Sequence, residues 1–288
     1  MTIYPACKIC NGNSFPVFAA GDYRMYRCDA CRTSFVSPTP SDDVLSEFYR
    51  KFHLSLEEGG EYEIVESRMS ADFPVKVRLV ENLFPEGSGR RLLDVGCGKG
   101  FFVKHCRDIG IDAQGVDLSR SAIKFAVDTL QVPAKAGTLS QMKGELGVFD
   151  AITFWATIEH VPDPLKTLRD IYSVLRPGGR LFLDTGVGDD WLDRILPGHV
   201  QWYDPPQHLF VFSTTGMSRA LEQVGFRVID VDTNFERSNT RRLIKTIRNA
   251  SCAIGLRLVS SGAGLKTGPF AFTRFQLGNL MSIVAERP

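Results

Sequence analysis

Residues 92–100 read Leu92-Leu93-Asp94-Val95-Gly96-Cys97-Gly98-Lys99-Gly100. An apolar run ends in an acid, three glycines alternate with other residues, and a helical pattern starts at Phe101. Glycine tolerates positive φ and lets the backbone approach a ligand closely. A strand that turns through such a loop into a helix opens an α/β sheet, whose ligands sit at the carboxyl ends of its strands. Seventeen residues after Gly100, Gln114-Gly115-Val116-Asp117 ends a second run in an acid. An acid at that strand tip is placed to accept ribose hydroxyls. The loop is G-x-G-x-G, which departs from the dinucleotide G-x-G-x-x-G, and G-x-x-x-x-G-K-[ST] is absent. Asp94 would repel a pyrophosphate and suits a cationic ligand or one with an ammonium group.

Outward from this loop the chain alternates. Strands are predicted at 91–96, 113–117, 149–155, 180–185, 226–231 and 280–285. Helices are predicted at 101–109, 119–130, 164–175 and 214–224, the last ended by Gly225. Pro177-Gly178-Gly179 reads as a turn. Strands and helices at this spacing predict an α/β fold with a doubly wound, mostly parallel sheet.

Before the sheet lie two further regions. Cys7, Cys10, Cys28 and Cys31 form two C-x-x-C pairs with 17 residues between them. Each pair can bring two thiolates to one tetrahedral ion, and the spacer allows a hairpin. Four thiolates leave no open position, so the zinc expected here is structural. The chain has seven cysteines, and its N-terminus lacks the layout of a signal peptide. Both features argue against a disulfide framework and for the cytoplasm. The expected division is a zinc ribbon at 1–40, a helical linker or lid at 41–85, and a ligand-binding domain at 86–288.

With 288 residues, 43% hydrophobic and 23% charged, the composition is that of a globular chain, and the net charge of +1 gives no global field for nucleic acid or membrane. The apolar runs are too short for a transmembrane helix.

The motif Asp94–Gly100 resembles the first motif of the class I S-adenosylmethionine-dependent methyltransferases. The resemblance continues through Asp117, Phe149-Asp150, Ile158-Glu159-His160-Val161-Pro162-Asp163-Pro164 and Leu175-Arg176-Pro177-Gly178-Gly179. It implies a seven-stranded sheet and S-adenosyl-L-methionine as cofactor. Gly96, Gly98 and Gly100 would line its methionine part, with Asp117 on the ribose. Asp94, Leu118, Thr138, Trp155 and Glu159 complete the candidate cofactor set. The stretch Ala136-Gly137-Thr138-Leu139 lacks the acid often found near the adenine. Backbone groups and nearby apolar side chains are expected there instead.

The ribbon, Phe35-Val36-Ser37-Pro38-Thr39-Pro40, Phe48-Tyr49, and Gln207-His208-Leu209-Phe210-Val211-Phe212-Ser213 resemble zinc-ribbon methyltransferases of sugars and small metabolites. Gln207 stands where glutamate is common, and the long C-terminal domain usual in the sugar C-methyltransferases is not expected here, which argues against sugar C-methylation.

Methyl transfer to a hydroxyl or an acidic carbon calls for a base, and histidine is suited to that near neutral pH. His208 ranks first and His160, beyond the fourth strand, second. His199 and His208 lie in an insertion, Gly186 to Ser213, rich in Trp191, Trp202, Tyr203, Phe210 and Phe212. That cluster is read equally as an acceptor pocket or as a packed lid. A basic insert at 236–275 carries eight Lys or Arg and no acid between Arg237 and Arg274. Its 237–258 part could lie weakly on an anionic membrane surface, hold phosphates or touch RNA.

The expected function is O- or C-methylation of a small or carrier-linked metabolite such as a sugar, a glycan precursor or a secondary metabolite. The alternatives are RNA methylation, against which the ribbon's four basic and two acidic residues argue, and a non-enzymatic cofactor-binding scaffold.

Overall fold

The computed structural model describes residues 4–45, 47–49, 73–85, 89–189, 193, 200–233 and 280–288. His53, Trp191, His199, the basic insert and most of the expected linker lie outside these residues. The chain forms two compact units. One comprises Met1–Pro40, Gly186–Arg219 and Asp232–Met281. The other comprises Ser41–Thr185, Ala220–Val231 and Ser282–Pro288. This division differs from the expected one in placing the aromatic insertion with the ribbon.

The reason lies in strand pairing. In the first unit, β1 (Ser14–Ala20) and β2 (Tyr23–Cys28) form a hairpin, and β3 (Ser34–Val36) pairs antiparallel with β2. Three short strands leave an open edge whose N–H and C=O groups need partners. Phe210–Val211, strand β9 in chain order, fills it by pairing with β3. Behind the sheet, the buried Arg27 guanidinium contacts Asp193 and the Tyr203 hydroxyl, and it donates to Ser34 Oγ at 3.2 Å. An interior charge is tolerated when it is paired and its donors are used.

The second unit carries β4 (Arg91–Val95), β5 (Asp112–Asp117), β6 (Ala134–Ala136), β7 (Phe149–Trp155), β8 (Leu175–Gly186), β10 (Arg227–Asp232) and β11 (Leu280–Glu286). Their order is β10-β11-β8-β7-β4-β5-β6. β4 pairs parallel with both β5 and β7, β5 with β6, and β7 with β8. Strand order therefore reverses between β4 and β7, where open α/β sheets leave a crevice at the carboxyl edge.

The helices are α1 (Phe73–Asn82), α2 (Phe101–Asp108), α3 (Arg120–Asp128), α4 (Leu139–Leu146), α5 (Pro164–Val174) and α6 (Thr214–Val224). Local chemistry sets their starts. Ser119 Oγ accepts from Ala122 N, Thr138 forms a capping box with Gln141, and Asp163 caps α5 with Pro164 in its first turn. Phe149–Trp155 is buried throughout, as a strand covered on both faces requires. The expected turn at Pro177-Gly178-Gly179 is instead part of β8. Gly178 N donates to Arg287 O at 2.7 Å and Arg287 N to Gly179 O at 2.9 Å, so the chain end pairs this segment into the sheet. β6 and the one-turn 3-10 segment Ile158–His160 carry too few residues to show a period in the sequence.

Candidate functional site

In the first unit, two tight knuckles bring four thiols together. Ile9 N points at Cys7 Sγ and Cys31 N at Cys28 Sγ, each at 3.4 Å. Cys7 and Cys31 lie 3.6 Å apart, Cys10 and Cys28 3.4 Å apart, and all four sulfurs fall within 4.8 Å of one another. Their shared hydrogen bond pushes the Cys7 thiol up and draws Cys31 down. The insertion closes over the knuckle, because Ser213 Oγ donates to the Cys31 carbonyl and accepts from Gly216 N at 2.8 Å.

In the second unit, the loop after β4 is shaped by what its glycines touch. Gly96 has φ 78°, and a Cβ there would lie 2.4 Å from Thr157 Oγ1. Gly98 has φ 52°, and a Cβ would meet nothing within 4 Å. Gly96 thus serves packing, while Gly98 faces open space. Gly100 begins α2, against Val132 and Ala126. Asp117 binds the loop from β5. Its carboxylate accepts from Gly98 N at 2.9 Å and from Ser119 N at 2.8 Å.

Beneath the loop lies a cluster of buried charges. Asp94 is 2% exposed and accepts from Thr153 Oγ1 at 2.7 Å. Burial pushes its carboxyl up to about 7; the Thr153 bond and Lys76 hold it down, while Asp117 and Asp184 push it further up. Lys76 pairs with Asp184 at 2.7 Å, and its ammonium lies 4.8 Å from the centre of the Trp155 ring. Asp184 also accepts from Ala156 N at 2.6 Å. Trp155 is 6% exposed, and its Nε1 has no hydrogen-bond partner among the described residues.

After β7, the 3-10 turn presents Glu159 and His160. Glu159 is buried and accepts from Thr185 Oγ1 at 2.9 Å. Burial raises its carboxyl above the usual range, against His160, its own backbone and Thr185. His160 Nε2 lies 3.9 Å from Glu159 Oε1, and Nδ1 lies 3.2 Å from the Tyr49 hydroxyl.

The sequence-derived candidates therefore fall into groups. Asp94, Gly96, Gly98, Gly100, Asp117 and Trp155 stand together at the carboxyl ends of β4, β5 and β7. Glu159 and His160 follow the same β7 edge. Thr138 spends its hydroxyl on capping α4, and Leu118, beside Asp117, is 68% exposed. His208 belongs to the first unit. Its Nδ1 lies 3.0 Å from the Trp202 carbonyl. A carbonyl only accepts, so Nδ1 carries the proton and Nε2 the lone pair.

Lys76, Asp184, Thr185 and Thr157 escaped the sequence reading, and Tyr49 entered it only as part of the Phe48-Tyr49 resemblance, with no role given. Asp184 had a signal: it follows the apolar run Leu181-Phe182-Leu183, as Asp94 follows Leu92-Leu93. Lys76 had a weaker one, an ammonium among Val75, Val77, Leu79 and Val80.

The family described as methyltransferase domain matches residues 66–231, more than half of the chain. The chain is 33% identical over 147 residues to the ubiquinone biosynthesis O-methyltransferase of Xanthomonas axonopodis pv. citri, covering 45% of this chain and 61% of that protein. For the Xanthomonas campestris pv. campestris protein of the same name, identity is 34% over 132 residues, covering 40% and 55%. The chain thus spans less than two thirds of these curated relatives. A SAM-dependent methyltransferase from Thermotoga maritima superposes with a TM-score of 0.52 at 20% identity, covering 82% of this chain and 99% of the other. Haemonchus contortus phosphoethanolamine N-methyltransferase 2, in complex with phosphomonomethylethanolamine and S-adenosylhomocysteine, gives 0.53 at 19% identity, covering 74% and 52%. At such identities the likeness is one of fold.

Proposed function

The chain belongs to the methyltransferase domain family, and from that premise we propose that it transfers a methyl group from S-adenosylmethionine to a hydroxyl of a small or carrier-linked metabolite, such as a sugar, a glycan precursor or a secondary metabolite. Oxygen is preferred to carbon because the curated relatives are named O-methyltransferases.

One observation carries the reading: Gly98 faces open space while Asp117, its carboxylate fixed by two N–H groups, stands beside it. The residues fit the cofactor. Asp117 retains lone pairs for a pair of ribose hydroxyls. Asp94, Asp117, Asp184 and Glu159 gather around Lys76, and a bound sulfonium or ammonium group would favour the ionised forms of these acids. The Trp155 N–H, buried and without a partner among the described residues, is a spare donor, and Leu118 adds an exposed apolar side chain. S-Adenosylmethionine supplies an already activated methyl, so the protein's task is alignment and the removal of one proton. His208, with its lone pair at Nε2, is the first candidate base, and His160 the second.

We also infer a structural zinc on Cys7, Cys10, Cys28 and Cys31. A tetrahedron with Zn–S of about 2.3 Å has edges of about 3.8 Å, close to the 3.6 Å and 3.4 Å sulfur pairs. The methyl-transfer reading is tested by calorimetry with S-adenosylhomocysteine, followed by methyl-labelled cofactor with fractionated cell extract. Binding, with label in a small-molecule or lipid pool, is expected. No binding, or label released by nuclease, overturns it.

A further inference from the structure

Tyr49 plays no part in the reading above, and it touches the one histidine of the second unit that follows the β7 edge. Its hydroxyl lies 3.2 Å from His160 Nδ1, and its ring meets the imidazole edge-on at 6.1 Å. It also stacks edge-on with Phe48 at 5.4 Å. Burial, and then the Glu159 charge, push the phenol well above its ordinary range. The phenol therefore keeps its proton and can donate it in a hydrogen bond. On the other side of the imidazole, Glu159 Oε1 faces Nε2 at 3.9 Å. A carboxylate there favours the proton on Nε2, which leaves the lone pair of the neutral ring at Nδ1.

We propose that Tyr49 is a positioning residue that donates to His160 Nδ1 and fixes His160 in the Nε2–H tautomer. The consequence rests on the methyl-transfer reading. A proton taken up by His160 must arrive at Nδ1, on the side of the Tyr49 hydroxyl. Tyr49 thereby governs whether His160 can serve as the base.

Tyr49→Phe removes only the hydroxyl and keeps both ring contacts. The test is nitrogen-15 NMR of the histidine side chains at pH 8, with the His160 signals identified by their loss in His160→Asn. In the wild type, Nε2 is expected to be protonated and Nδ1 to be an acceptor. In Tyr49→Phe the Nε2–H to Nδ1–H ratio should fall about five-fold, the equivalent of about 1 kcal/mol at 1.4 kcal/mol per tenfold. Glu159→Gln is a second variant that should move the ratio in the same direction. A role confined to ring packing would leave the ratio unchanged in Tyr49→Phe. That result, or a wild-type proton on Nδ1, overturns the proposal. S-Adenosylhomocysteine calorimetry on the same samples separates the two ideas. Absence of binding defeats methyl transfer, while the tautomer ratio alone decides the role of Tyr49.

Discussion

The first two glycines of the loop, Gly96 and Gly98, make a contrast that distinguishes packing from ligand space. An alanine at either position must adopt positive φ, which costs about 1–2 kcal/mol. At Gly98 nothing else is added, because no atom lies within 4 Å of the new methyl group. At Gly96 the methyl would sit 2.4 Å from Thr157 Oγ1 and 2.8 Å from its Cγ2. Thr157 cannot turn away freely, since its hydroxyl donates to the Trp155 carbonyl at 2.7 Å. Overpacking of this kind adds about 1–3 kcal/mol. Gly96→Ala is therefore expected to lose about 2–5 kcal/mol in urea unfolding, and Gly98→Ala about 1–2 kcal/mol. Calorimetry with S-adenosylhomocysteine should invert the ranking of severity. Gly98→Ala, although folded, should bind at least about tenfold more weakly, the equivalent of about 1.4 kcal/mol. Adding Thr157→Ala to Gly96→Ala should restore part of the stability. Equal stability of the two alanine variants, or wild-type affinity in Gly98→Ala, would refute the reasoning.

Three further outcomes follow from the same structure. The Asp94 carboxyl is raised from 3.8 to about 7, so the folded state holds a proton that the unfolded chain releases. Its stabilising share is full below about pH 4 and is lost as pH rises to about 7. Wild type should then lose stability relative to Asp94→Asn by up to about 4 kcal/mol over that window, read by urea unfolding at successive pH values, and a flat difference would contradict it. Zinc should be present at about one ion per chain by elemental analysis, and a strong chelator should release it and lower the melting temperature. Retention of full stability by metal-free protein would deny it a structural role. Ser119→Ala should cost about 1 kcal/mol by removing the cap that Ser119 Oγ gives Ala122 N. Thermal unfolding indistinguishable from wild type would show the cap to be idle.

The sequence by itself determined the features that depend on neighbours along the chain. The glycine loop, the acids late in β4 and β5, and the two C-x-x-C pairs are each complete within a few residues, so spacing alone reveals them. β7 was legible to both ends because burial on both faces makes it continuously apolar. The tertiary structure decided what joins distant segments. The pairing of Phe210–Val211 with β3 put the aromatic insertion with the ribbon, and the bonds of Arg287 to Gly178 and Gly179 turned an expected turn into strand. The Lys76–Asp184 pair spans more than 100 residues, as does the Tyr49–His160 contact. Such contacts carry no period and no local propensity. They exist because a buried charge or hydroxyl must find a partner, and only the folded chain fixes which one is within reach.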